Sequence, residues 1–303
     1  MDVFISLLIN IFEEGFIYGI MAIGVYITYK VLDFPDLTVD GSFPLGMCLT
    51  GLLVSLGVDP WVSCILSLLS GALAGSITGI LHVKFHITNL LSGILVMTAL
   101  WSMNLVITND SAVLSFFNKP TIFNSGIGSS FTGVMEDYKV LIMTGVLVII
   151  VKIIIDIYLK TKSGLLLRAA GSNPQFVTSL GRDSGKMKIL GLAIGNGLTA
   201  MAGGVLGQQA NSANINSGTG MVVMALASVI IGTTLFRKIK IMKATTAVVL
   251  GSVLYKTCLS LAMLIGLPNK FLKMLMAGIF AVVLISNNIL GGRRKRIYDK
   301  TKK

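Results

Sequence analysis

The chain has 303 residues, 54% of them hydrophobic and only 13% charged, which excludes both an ordinary water-soluble protein and a disordered one. Its mean hydropathy of +0.84 marks an integral membrane protein. Lys and Arg outnumber Asp and Glu 25 to 13, and three isolated cysteines (Cys48, Cys64, Cys258) without metal-type spacing exclude a disulfide scaffold, a redox centre and a zinc centre.

A membrane-spanning helix needs roughly 20 mostly apolar residues. Nine segments qualify or nearly do: Leu7 to Tyr29, Phe43 to Leu56, Trp61 to Val83, Leu90 to Ile107, Val140 to Leu159, Ile189 to Leu206, Met221 to Phe236, Thr245 to Ile265 and Leu272 to Leu290. The fold class is therefore all-α, a polytopic bundle of eight to ten transmembrane segments, some of them discontinuous. The first 15 residues carry Asp2, Glu13 and Glu14, no Lys or Arg and no secretory leader pattern, which predicts an external N-terminus.

After the first segment comes Asp33-Phe-Pro-Asp-Leu-Thr-Val-Asp-Gly-Ser-Phe-Pro44, whose two prolines, glycine and three carboxylates predict a break in helix. Such polar backbone persists in a membrane only inside protein or against a wet cavity. Asp36, Thr38, Asp40 and Ser42 are accordingly candidate path residues, or else members of an ordinary loop. The second segment is short, and so is the seventh. Paired short segments in the two halves point to discontinuous helices around a transport site, or to tilted spans. In the third segment Gly71, Gly75 and Gly79 make one small-residue face, suited to close helix packing within the chain or between copies. His82 and His86 follow beside Lys84 and read as a solvated loop. Lys152 and Asp156, four residues apart on the fifth segment, are placed to satisfy each other.

The stretch Lys160 to Lys188 reads as a loop holding one short helix: Asn173 suits an N-cap, Pro174 the first helical position and Gly181 the stop, which predicts a helix over Pro174 to Leu180. Phe176, Val177 and Leu180 would then be either a docking knob for a soluble partner or an anchor to the bundle. Gly191, Gly195, Gly203 and Gly204 repeat the small-residue pattern in the sixth segment. Gln208 to Gly220, with Gln208, Gln209, Asn211, Asn214 and Asn216, is a second polar stretch and a second path candidate. Lys256, about halfway along the eighth segment, is either paired with Asp156, Glu13 or Glu14, or lines the path.

Charge distribution orients the bundle. Six Lys or Arg fall in Lys160 to Lys188, four in Arg237 to Lys243 and seven in Arg293 to Lys303. Alternation from these loops puts Lys30 and Lys84 on the same side, leaving only Lys119, Lys139, Lys270 and Lys273 on the other. By the positive-inside rule the richer side and the C-terminus are cytoplasmic. The +12 excess is thus a topological signal, and nucleic acid is excluded as a partner. The chain reads as one transmembrane domain, residues 1–290, with a basic cytoplasmic tail, residues 291–303.

No phosphate-binding loop, HExxH or nucleophile constellation occurs, so catalysis is assigned elsewhere. The segment Gly164 to Gly181, of form G-x-x-x-R-A-x-G-x-N-P-x-x-x-x-x-x-G, resembles the coupling loop of bacterial ATP-binding-cassette importer permeases of the branched-chain amino acid and ribose type. Asp36-Leu-Thr-Val-Asp-Gly-Ser-Phe-Pro-Leu-Gly46 and Leu90 to Trp101 resemble the same family, in its branch associated with tryptophan and tyrosine uptake. The resemblance implies a multi-pass permease of the bacterial plasma membrane, a second permease copy as a homodimer, two cytoplasmic ATPases and an extracellular substrate-binding protein. ATP and Mg would sit on the ATPases, with no cofactor on this chain. Gly164, Arg168, Ala169, Gly171, Asn173, Pro174, Gln175, Phe176, Leu180 and Gly181 would form the ATPase coupling element. The cargo implied is a small polar organic solute, most simply an amino acid, the alternatives being a sugar or nucleoside permease and, in another class, a membrane-embedded enzyme or scaffold.

Overall fold

A computed structural model describes residues 3–130, 135–239, 242–266, 268 and 271–285. The basic tail of residues 291–303 and the end of the ninth apolar segment lie outside the described residues. Among those described, eleven α-helices follow in order: α1 (Val3–Val25), α2 (Val39–Ser55), α3 (Pro60–Val83), α4 (Asn89–Ile107), α5 (Lys139–Tyr158), α6 (Lys162–Ser172), α7 (Pro174–Ser179), α8 (Ser184–Ala210), α9 (Met221–Leu235), α10 (Ala244–Leu264) and α11 (Leu272–Ile285). Seven are long and apolar enough to cross a membrane, some of them with short helical extensions. Adding the shorter apolar helices α2 and α11 accounts for all nine segments.

Two helices organise the rest. α1 and α8 cross at Gly24 and Gly195, where a side chain on Gly24 would come within 2.5 Å of the Gly195 carbonyl. On one side α2 and α3 pack against α8, with α4 against α2 and α3; on the other α5, α9 and α10 pack against α1. The glycine face of α3 lies against α8: a Cβ on Gly75 would collide with the Leu192 carbonyl, and one on Gly71 with the Asn196 carbonyl. Of the two readings of that face, the structure takes packing within the chain.

Two expectations are corrected. The break between α1 and α2 is shorter than its prolines suggest, because α2 begins at Val39 and contains Pro44. Proline has no N–H for the Asp40 carbonyl four residues earlier. Gly218 packs closely against that turn from across the fold, leaving no room for a side chain between it, the Asp40 carbonyl and the Pro44 ring. Next, the stretch Lys160 to Lys188 is largely helical: α6 fills its first half and α8 starts at Ser184, capped by the Asp183 side chain, which accepts from Gly185 N and Lys186 N. The all-α fold class holds, with one small ribbon beside the helices, β1 (Val113–Ser115) paired antiparallel with β2 (Ser212–Asn214).

The helix ends sort by charge. Lys30, Arg168 and Arg237 border adjoining cavities at one end, and Lys188 Nζ reaches His82 Nε2 there at 3.2 Å. His82 is thus part of the last turn of α3, its Nδ1 2.8 Å from the Ile87 carbonyl, and not a solvated loop residue. The opposite end carries Asp59, the ribbon and Lys119.

Gly75→Leu is expected to destabilise the purified protein by about 3 kcal/mol, the upper end of overpacking penalties, because it meets backbone. Gly278→Ala in α11, where a Cβ meets nothing within 4 Å, is expected to leave stability unchanged, both read by thermal unfolding in detergent.

Candidate functional site

The segment Gly164 to Gly181 is held by backbone contacts that only small residues allow. Thr161 caps α6, its Oγ1 accepting from Gly164 N at 3.2 Å. Gly164 lies on the Tyr158 carbonyl and Gly171 on the Val31 carbonyl, so α6 rests directly on the end of α1. Leu167 and Ala170 are buried beneath it. Asn173 then turns the chain at φ −152°, its Oδ1 accepting from Phe176 N at 3.2 Å, with Pro174 in the first turn of α7. Gly181 leaves the helix at φ +69°, a left-handed conformation that glycine adopts freely. The helix ends at Ser179, one residue short of the predicted Leu180.

Which side chains project is partly a correction. Val177 is fully buried and anchors α7, whereas Phe176 (53%) and Leu180 (55%) are exposed. Arg168, Gln175 and Arg182 are exposed as well, and Ala169 is half-buried. The element therefore presents an apolar and cationic surface on a rigid base.

That base connects to the bundle interior. Past Val25 the first helix continues as a π-helical turn, Tyr26–Val31, in which Leu32 N donates to the Ile27 carbonyl (3.0 Å) and Phe34 N to the Thr28 carbonyl (2.9 Å). Asp33 ends it with φ 54°. A π turn inside an α-helix often marks a functional site. Gly171 sits on this turn, and Leu32 packs with Leu167 around Gly191 of α8.

Just beyond the turn Asp36, Thr38 and Ser42 are brought together, buried, with Asn196 of α8 and Thr78 of α3. Asn196 Nδ2 donates to Asp36 Oδ2 (2.6 Å) while Ser42 Oγ donates to Asn196 Oδ1 (2.8 Å). Thr38 N donates to Asp36 Oδ1 at 2.9 Å, and its hydroxyl meets that of Thr78 at 2.8 Å. Burial pushes the Asp36 carboxyl above its ordinary value, and the bonds from Thr38 and Asn196 pull the other way. Asp40 performs a different task. Its Oδ1 accepts from Val222 N (2.7 Å) and its Oδ2 from Gly220 N (3.1 Å), so a carboxylate of α2 caps α9.

The second polar stretch divides likewise. Gln208 belongs to the last turn of α8 and ties three elements together: Oε1 accepts from Ile122 N (2.8 Å) and Nε2 donates to the Pro60 carbonyl (3.3 Å) and reaches Cys64 Sγ (3.1 Å). Asn211 ends α8 in a left-handed conformation, Asn214 Oδ1 accepts from Asn216 N at 2.9 Å, and Asn216 is exposed beside Asp40 and Thr219. Lys256 stands apart from all of these, its Nζ 2.6 Å from Glu14 Oε2. Of its three expected partners, Glu14 is the one selected. Asp156 accepts not only from Lys152 (3.3 Å) but also from Lys243 (3.0 Å) and Thr245 (2.6 Å), so the pair read within the fifth segment is in fact a cluster.

Sequence reasoning missed Asn196 and Asn104. Each is a single amide in an apolar span, and that was the available signal, since an amide in a membrane must find a partner.

Comparison with known proteins follows the same outline. A family model described as "Branched-chain amino acid transport system / permease component" matches residues 7–284. The chain is similar to a tyrosine transport system permease protein of Clostridioides difficile, 40% identical over 282 residues, covering 93% of this chain and 92% of the relative. It is also similar to the ribose import permease protein RbsC of Escherichia coli K12, 25% identical with 76% and 70% covered. A probable branched-chain amino acid transport permease protein LivH of Methanocaldococcus jannaschii matches at 26%, with 65% of each chain covered. No solved structure matches the chain.

Lys256→Met leaves the half-buried Glu14 without its partner and is expected to cost about 3–5 kcal/mol, measured by thermal unfolding in detergent. Adding Glu14→Gln to the same protein should recover most of the loss.

Proposed function

The chain belongs to the branched-chain amino acid transport system permease component family, and from that membership we propose that it is the membrane subunit of an ATP-binding-cassette importer carrying an aromatic amino acid into the cell. The observation that carries the coupling role is α7, a capped helix with Phe176 and Leu180 exposed and Val177 anchored. On this reading two soluble ATPases, which hold the ATP and Mg, grip that surface from the cytoplasm. A second copy of the permease completes the membrane part, and an extracellular binding protein delivers the cargo.

The basic end of the bundle faces the cytoplasm in this proposal, in keeping with the positive-inside rule, and the C-terminus lies on that side of the plasma membrane. ATPase closure displaces α7 and α6. Gly171 passes the displacement to the π turn of α1, and the Asp36–Asn196 bond joins that region to α8. Because packed helices shift between discrete arrangements, the outcome is a rocking of the bundle that opens the path alternately to either side.

An aromatic amino acid is favoured over a sugar by the 40% relative, which spans nearly all of both chains, against about 25% for the ribose permeases. Cells expressing the permease with its ATPase and binding protein are expected to accumulate labelled tyrosine and not labelled ribose; the reverse result overturns the substrate reading. Phe176→Ala together with Leu180→Ala is expected to reduce ATPase co-purification at least tenfold while the permease inserts normally. Retention of the ATPase at the wild-type level would overturn the coupling assignment.

A further inference from the structure

Beside the start of α9 lies a cavity of about 220 Å³, bordered by Asp40, Met97, Trp101, Asn104 and Thr219 among others. Asn104 is fully buried on α4. Its Nδ2 donates to the Gly41 carbonyl at 3.4 Å, but its Oδ1 is one of three buried side-chain oxygens among the described residues with no hydrogen-bond partner. A buried acceptor is costly to leave unpaired, and an unpaired one in a native fold asks for a donor that binds there.

The remaining wall specifies which donor. Asp40 contributes a carboxylate that accepts backbone amides at the start of α9, from Gly220 and Val222 among them, and two carboxylate oxygens offer about four lone-pair sites, so acceptor capacity remains for a ligand. Among the described residues no Lys or Arg borders the cavity; Lys273 of α11, whose charge acts on Asp40, is exposed and stands outside the wall. Two acceptors, with no cation in the described wall itself, suit a positively charged donor. Met97, Pro44 and the half-exposed Trp101 supply the apolar side, and an indole face both stacks on aromatic rings and attracts cations.

We propose that this cavity is a substrate subsite that takes the ammonium group of an aromatic amino acid, with Asn104 Oδ1 and the Asp40 carboxylate as acceptors and Trp101 as the apolar wall. The assignment rests on the import reading above and adds to it a recognition step on the permease itself.

Trp61 and Trp101 are the two tryptophans of the chain, so a Trp61→Phe background isolates the signal of Trp101. The full-length protein in lipid nanodiscs would be titrated with L-tyrosine, with tyramine, which keeps the ammonium, and with 3-(4-hydroxyphenyl)propionate, which lacks it. Saturable quenching is expected from the two amines and none from the acid, with Asn104→Leu weakening tyrosine binding at least tenfold. An equal response to the acid, or a tyrosine titration that Asn104→Leu leaves unchanged, overturns the subsite. Should Asn104→Leu fail to fold, the three-ligand comparison on the parent protein decides. Uptake of labelled tyrosine by the complete importer is read separately: uptake with no amine selectivity at Trp101 sinks the subsite and leaves the import reading standing, whereas amine-selective quenching without uptake sinks the import reading.

Discussion

Backbone-to-backbone approach along α8 is the constraint on which the rest of the molecule depends. Lipid offers apolar side chains no reason to leave it, so helices in a membrane associate through close dispersion contacts and hydrogen bonds. α8 meets α3 at Gly71 and Gly75, α1 at Gly24 and Gly195, and α2 at Gly203, where a side chain would strike the Phe43 carbonyl. Asn196 stands among those contacts and donates to Asp36. The polar cluster can exist because the glycines bring three helices near enough for one amide to reach across.

The same constraint separates what the sequence disclosed from what it hid. Segment positions were legible because hydropathy depends on composition alone, and the glycine repeat of the third segment was legible because its spacing matches the helical period. The cap of α7 could be read from Asn173, Pro174 and Gly181, each of which acts within its own turn. What could not be read was anything joining distant positions. Pro44 looked like a barrier to helix, since Gly218, which packs against its turn, lies far along the chain. Val177 looked like part of an exposed knob because six residues do not reveal which of their faces is covered. Lys256 could be narrowed to three acids, and only the crossing of α1 and α10 chose Glu14.

The two ends of this arrangement are built differently. At the basic end a short helix is held firmly by Val177, Gly164 and Gly171 while its outward residues remain free to meet another protein. Deeper in the bundle, side chains that composition alone would assign to a water-lined path are spent instead on holding helices together: Asp36, Ser42 and Gln208 all have partners within the chain. Polarity inside a membrane protein is therefore an ambiguous sign until its hydrogen bonds are traced. Asn104, like Thr50 and Gln209, keeps a buried oxygen still to satisfy, and of the three it is the one that borders the cavity beside α9.

The Asp40 cap carries a mechanical meaning. α2 and α9 are each too short to act as stiff rods, yet two charge-assisted bonds from one side chain fasten the first amides of α9 to the body of α2, and Gly218 seats the connecting chain against the same turn. The two fragments are thereby spliced into a single lever. Its joint is made of hydrogen bonds and not of peptide, so it can bend at an angle that no continuous helix could hold.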